Sequence, residues 1–272
     1  VSPTILEWIN LFVRWFHVFA GIMWVGQTYY FTWLDGQFGK LEKSAPAGET
    51  APQLWMVHSG GFYAIEKQKA LGVAPGQVHW FRWEALMTWV SGMILLVLVY
   101  YMGGALIDTD VANIPVGLGV VIGLGVLAIG WMIYDLAARS PLGKSEMGFA
   151  AFSIIAIALL AWGLSHIFSG RAAYIHVGAL LGTIMTLNVW MRILPAQRKM
   201  IAAAAAGTKF DAALGAGAKL RSKHNTFMAV PVVFIMLSNH FPSATYGNSY
   251  GWEILIALIL VGWVAAKIIR ES

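Results

Sequence analysis

Ile114-Pro-Val-Gly-Leu-Gly-Val-Val-Ile-Gly-Leu-Gly-Val-Leu-Ala-Ile-Gly-Trp-Met-Ile-Tyr134 runs without one charged side chain. As a helix rising 1.5 Å per residue it is about 30 Å long, the thickness of a bilayer's hydrocarbon core. Six further apolar segments share this character: Ile5–Leu34, His79–Met102, Met147–Phe168, Ala172–Leu194, Thr226–Phe241 and Trp252–Ile268. The first is over-long, so it must tilt or emerge at an interface. The sixth is short. The pattern predicts an all-α, polytopic transmembrane helix bundle of about seven spans, with short interfacial helices, forming one membrane domain over residues 1–272.

Composition supports this reading. Hydrophobic residues make up 58% of the 272 and charged residues 11%, against roughly 25% charged in a soluble domain. Such a surface needs membrane lipid as its partner. The net charge of +5 is that of basic loops beside a membrane rather than of a nucleic-acid binder. There is no cysteine, which excludes disulfides, thiolate metal sites and covalent haem c within these residues. Haem or metal ligands must come from histidine, methionine or carboxylates. Val1-Ser2-Pro3 has no basic leader, so no cleavable signal peptide is expected.

The placement of bases predicts orientation. Lys40, Lys43, Lys67 and Lys69 lie in the loop 35–78, and Arg139 and Lys144 follow the third segment. Arg198, Lys199, Lys209, Lys219, Arg221 and Lys223 lie in the loop 195–225. The opposite loops hold Asp108 and Asp110, or no charge at all over 242–251. By the positive-inside rule both long loops are cytoplasmic, the N-terminus periplasmic and the C-terminus of the chain cytoplasmic, in a bacterial inner membrane. Within the first loop, Ser44-Ala-Pro-Ala-Gly48 is turn-rich, and Gln53–Lys69 is expected to form a short interfacial helix. The alanine run after Met200 reads as a surface helix followed by a glycine-rich hinge.

Ionisable groups at membrane depth are costly and often functional. His17 lies mid-segment; His166, His176 and His240 lie toward the outer side, and His58, His79 and His224 toward the inner side. Imidazoles on separate helices can hold haem between them. His17 and His176 are the first pair to consider for haem b, with His166 and His240 as alternatives; a hydrogen-bonded structural histidine is the competing reading of each. Gly119-x-x-x-Gly123 fits close helix approach or room for a planar cofactor. Arg82 and Glu84, in His79-Trp-Phe-Arg-Trp-Glu84, form either an ion pair or part of a polar pocket, and Glu7 and Arg14 raise the same choice.

Several of these stretches also resemble one family in order along the chain: Trp33-Leu-Asp35, Gly60-Gly-Phe-Tyr63 with Glu66-Lys67, His79-Trp-Phe-x-Trp-Glu84, Pro195-Ala-Gln-Arg198, Arg221-Ser-Lys-His-Asn225 and Leu237-Ser-Asn-His240. They are similar to the membrane domain of the bacterial cytochrome c-linked urate oxidases. The resemblance implies oxidation of urate to 5-hydroxyisourate, with electrons passing through bound haem to cytochrome c. No Cys-x-x-Cys-His is present, so a cytochrome c domain or separate cytochrome c is the expected partner. For a planar anionic purine, Lys67, Arg82, Arg221, His224 and Asn225 are the candidate binding residues, and Glu84 or His79 the candidate proton acceptor. Two other readings compete: a b-type cytochrome subunit anchoring a peripheral dehydrogenase, and, ranked last, a transporter.

Overall fold

The computed structural model describes residues 2–44, 53–68, 76–209 and 211–271. The turn-rich stretch around Ala45–Gly48 lies outside them. Eight α-helices and one β-hairpin make up the fold: α1 Pro3–Ser44, the hairpin β1 Gln53–His58 and β2 Gly61–Glu66, α2 Trp83–Leu95, α3 Val116–Arg139, α4 Glu146–Ser165, α5 Gly170–Leu187, α6 Leu194–Ala205, α7 Ala212–Ser238 and α8 Gly251–Glu271. π-helical turns extend α2 over Leu96–Tyr101 and join α5 to α6 over Asn188–Ile193. Local sequence sets several starts. Ser145, Ser169 and Asp211 accept backbone N–H groups from Gly148, Ala172 and Ala213 at the heads of α4, α5 and α7, satisfying donors that a helix start leaves open.

Among the described residues, six helical runs are long and apolar enough to cross a membrane, not the seven expected. The exception is α7. Lys219, Arg221, Lys223 and His224 occupy its first half, and Pro231 interrupts its apolar second half. That half is mostly buried in the bundle, where α7 packs on α5 and α8. The loop expected over 195–225 is mostly helical, because α6 continues the run from α5 and α7 begins at Ala212.

The first long loop also departs from expectation. α1 continues nine residues beyond Asp35, and residues 53–66 form an antiparallel hairpin rather than a helix. Ser59 and Gly60 both have positive φ, at 50° and 75°, the two-residue turn whose twist matches paired strands. Leu54, Met56 and Ile65 are half-buried while Trp55, Val57 and Phe62 face outward, a two-residue period that a helix cannot satisfy. Lys67, just after the hairpin, is paired with Asp35 of α1, and Lys219 of α7 approaches the same carboxylate at 3.5 Å. Partial burial pushes the Asp35 carboxyl upward, but hydrogen bonding and charge from Lys67, then Lys219, outweigh it and hold it below its usual range. A lowered folded-state pKa stabilises the fold above the unfolded value and loses that contribution as pH falls through the folded one. Protease cleavage between residues 44 and 83 is therefore expected to accelerate below roughly pH 4 in wild type, and Asp35→Asn is expected to show the faster cleavage already at neutral pH.

α5 is the central helix. His176, Val177 and Ala172 have no exposed surface, and the main core forms where α5 meets α2, α3, α4, α7 and α8. α1 is peripheral, with Trp8, Phe12, Trp15, Phe19 and Ile22 turned outward, as on a helix that faces lipid. The helix ends near Arg82, Asp135, Arg192 and Arg221 form one end of the bundle, here termed the basic end.

Candidate functional sites at the basic end

The π turn Asn188–Ile193 sets two polar sites side by side. Its wider turn brings Asn188 and Arg192 onto one face, toward α3 and α7, and leaves Trp190 toward α2. On the first face lies Asp135, buried at the end of α3. Its Oδ1 accepts from Arg221 Nη2 and Arg192 Nε, both at 2.8 Å; Arg192 also reaches Oδ2, and Arg139 stands at 3.7 Å. Arg221 is only 4% exposed, so its charge depends on this carboxylate.

The network extends from there. Arg221 Nη1 donates to Asn188 Oδ1 at 3.3 Å, and Asn188 Nδ2 donates to the Tyr134 oxygen at 2.8 Å and to Asn225 Oδ1 at 2.9 Å. Asn225 donates in turn to the Met185 carbonyl. Tyr134 is 2.8 Å from His224 Nδ1, and that imidazole stacks on Phe149 at 4.5 Å with 6° between planes. The sequence drew attention to Arg221, His224 and Asn225 but missed Asp135, Arg192, Asn188 and Tyr134. The available signal was Asn188 inside an apolar segment and Asp135 directly after one.

On the second face Arg82 lies against two indoles, its guanidinium carbon 5.3 Å from the Trp83 ring centre and 5.7 Å from that of Trp190. The two rings meet edge to face at 5.8 Å. Arg198 similarly covers Trp80 at 5.8 Å. Arg82 Nε, Glu84 Oε2 and Trp190 Nε1 are buried polar atoms without a hydrogen-bond partner among the described residues. Buried polar groups are almost always paired. Glu253 Oε2, on α8, is a fourth such atom; Arg82 Nε and Trp190 Nε1 are the two donors that share the indole pair.

The other candidates separate from these sites. His79 is exposed, its ring against Phe81 at 4.6 Å. Lys67 belongs to the hairpin's contact with Asp35. His17 Nδ1 lies 3.0 Å from both the Thr88 carbonyl and Ser91 Oγ of α2, with its ring over Gly92. His176 Nδ1 is 2.8 Å from the Ala172 carbonyl, and its Nε2 is 3.2 Å from the Tyr101 hydroxyl. His166 bonds the Trp162 carbonyl, and both it and His240 are exposed. No group of three His, Cys, Asp or Glu side chains is arranged for a metal among the described residues. In both His17 and His176 it is Nδ1 that meets a backbone carbonyl, which leaves Nε2 as the nitrogen that would ligate a haem iron. At His176 that nitrogen faces the Tyr101 hydroxyl, and Gly123 lies beside it. A Cβ on Gly123 would stand 2.6 Å from both that nitrogen and the Tyr101 oxygen. Gly123 thus serves close packing of α3 on α5, while Gly119 packs against Leu106 and Ile107 of the preceding segment. Gly123→Ala is expected to cost about 1–3 kcal/mol through overpacking, measured as a lowered unfolding midpoint in detergent.

No curated protein and no solved structure matches the chain. The urate oxidase N-terminal family does match, over residues 3–271, and the chain belongs to that family.

Proposed function

We propose that this chain is the membrane part of a urate-oxidising oxidoreductase, and that urate binds at the Arg82–Glu84–Trp190 site. The observation that carries this reading is the set of unpartnered buried polar atoms beside indole rings. Urate is flat, anionic at neutral pH and edged with carbonyl oxygens and N–H groups. Indole faces suit its plane, Arg82 and Trp190 suit its oxygens, and the Glu84 carboxylate suits a ring N–H.

Two electrons leave the purine as Glu84 takes a ring proton. Water then adds at C5 and releases a second proton, so urate and water give 5-hydroxyisourate, two electrons and two protons. A c-type cytochrome is the acceptor proposed for the electrons, one to each of two haem c groups. The basic end faces the cytoplasm in this reading, consistent with the lysines and arginines gathered there.

The test uses membranes containing the chain, urate and oxidised cytochrome c under anaerobic conditions. Loss of urate's ultraviolet absorbance, with about two cytochromes reduced per urate, is the expected result. Urate that persists while an added artificial electron acceptor also stays oxidised would refute the assignment, since that acceptor removes any need for a missing redox partner.

A further inference from the structure

On the far side of the π turn from the Arg82 site, a cavity of about 730 Å³ lies between α3, α4, α5, α7 and α8. Its walls are apolar over most of their length, including Ile129, Ile157, Leu160, Ile184 and Trp263. Gly125 borders it with no heavy atom within 4 Å of where a Cβ would project. Polar groups meet it at the basic end, where Tyr134, His224, Lys223 and Glu146 line it.

The hydrogen-bond network fixes what that end presents. Arg221 donates to Asn188 Oδ1, so the Asn188 amide N–H₂ must face the Tyr134 oxygen. The Tyr134 hydroxyl hydrogen then has His224 Nδ1 as its acceptor. A neutral imidazole that accepts at Nδ1 carries its proton on Nε2, and Nε2 has no hydrogen-bond partner among the described residues. Lys223 and Glu146 pair with each other, which leaves little net charge beside it. The cavity is therefore a long apolar space whose polar end presents His224 Nε2–H beside the Lys223–Glu146 ion pair.

We propose that this cavity binds an isoprenoid quinone, with a ring carbonyl accepting from His224 Nε2–H and the tail lying between α3 and α4. A neutral carbonyl head accepts from that N–H without adding charge beside the ion pair. A fatty acid would bring a second carboxylate beside Glu146. The open wall at Gly125, about 13 Å along α3 from Tyr134, lies where the tail rather than the ring would run. This binding stands apart from the urate assignment, whose residues lie across the π turn.

The test is a titration of the purified chain, in detergent, with a benzoquinone carrying a ten-carbon tail, read by quenching of tryptophan fluorescence. Saturable quenching is expected. Gly125→Leu, which fills the cavity, and His224→Leu, which removes the donor, should each weaken binding about tenfold, whereas His224→Gln, which keeps an N–H, should retain most of it. Unfolding midpoints identify any variant that fails to fold, and the Leu-against-Gln comparison at 224 carries the test if Gly125→Leu is one. Quenching that never saturates, or that saturates equally in all variants, overturns the proposal. Displacement by equimolar decanoate overturns it in favour of a fatty-acyl site.

Discussion

Asp135→Asn is expected to destabilise the bundle by about 3–5 kcal/mol, the cost of breaking a buried ion pair from one side. The carboxylate accepts from Arg221 and Arg192 and stands near Arg139. Arg221 cannot recover water, being 4% exposed. The amide keeps the shape of the side chain and removes the charge, so the loss reports electrostatics rather than a cavity. It should spread along the chain of contacts, because the same Arg221 orients Asn188, which in turn orients Tyr134. Thermal unfolding in detergent gives the measurement. The double variant Asp135→Asn with Arg221→Met should recover much of the loss, since a buried pair is often replaceable by apolar groups of similar size. An Asp135→Asn midpoint equal to wild type would mean that Arg221 is neutralised by something else.

Glu84→Gln is expected to lower the rate of urate oxidation by about 100- to 10,000-fold, the range of a general base. Glutamine preserves size and one acceptor oxygen but cannot take a proton. The expected signature is a fall in kcat with KM little changed and an unaltered unfolding midpoint. Arg82→Met should behave differently, raising KM because it removes a contact to the bound purine while the acceptor remains. A Glu84→Gln protein that turns over at the wild-type rate would remove Glu84 from the mechanism and leave His79, exposed beside Phe81, as the alternative base.

The residue most visible in the sequence was not always the one the fold employed. His17 and His176 stand out because an imidazole in an apolar run is conspicuous; His17 Nδ1 is hydrogen-bonded to α2, and His176 bonds the Ala172 carbonyl of its own helix and the Tyr101 hydroxyl. Asp135 and Arg192 sit just where apolar runs give way to charge and resemble ordinary boundary residues. Only the packing of α3 against α5 and α7 turns them inward. Lys67 and Arg221 looked like members of one cationic set, but the first belongs to the hairpin and the second to the buried network.

The sequence by itself determined that this chain folds as apolar helices of membrane length. It also determined which end of the bundle is basic, because hydropathy and charge are local properties of consecutive residues. It identified Arg82 and Glu84 as a polar pair at a helix start. The tertiary structure alone decided that α7 is drawn into the core, that residues 53–66 pair as strands, and which polar atoms at the basic end stay unpartnered. Those outcomes depend on contacts between residues far apart in the chain, and a buried donor is satisfied or left open only by what another helix brings to it.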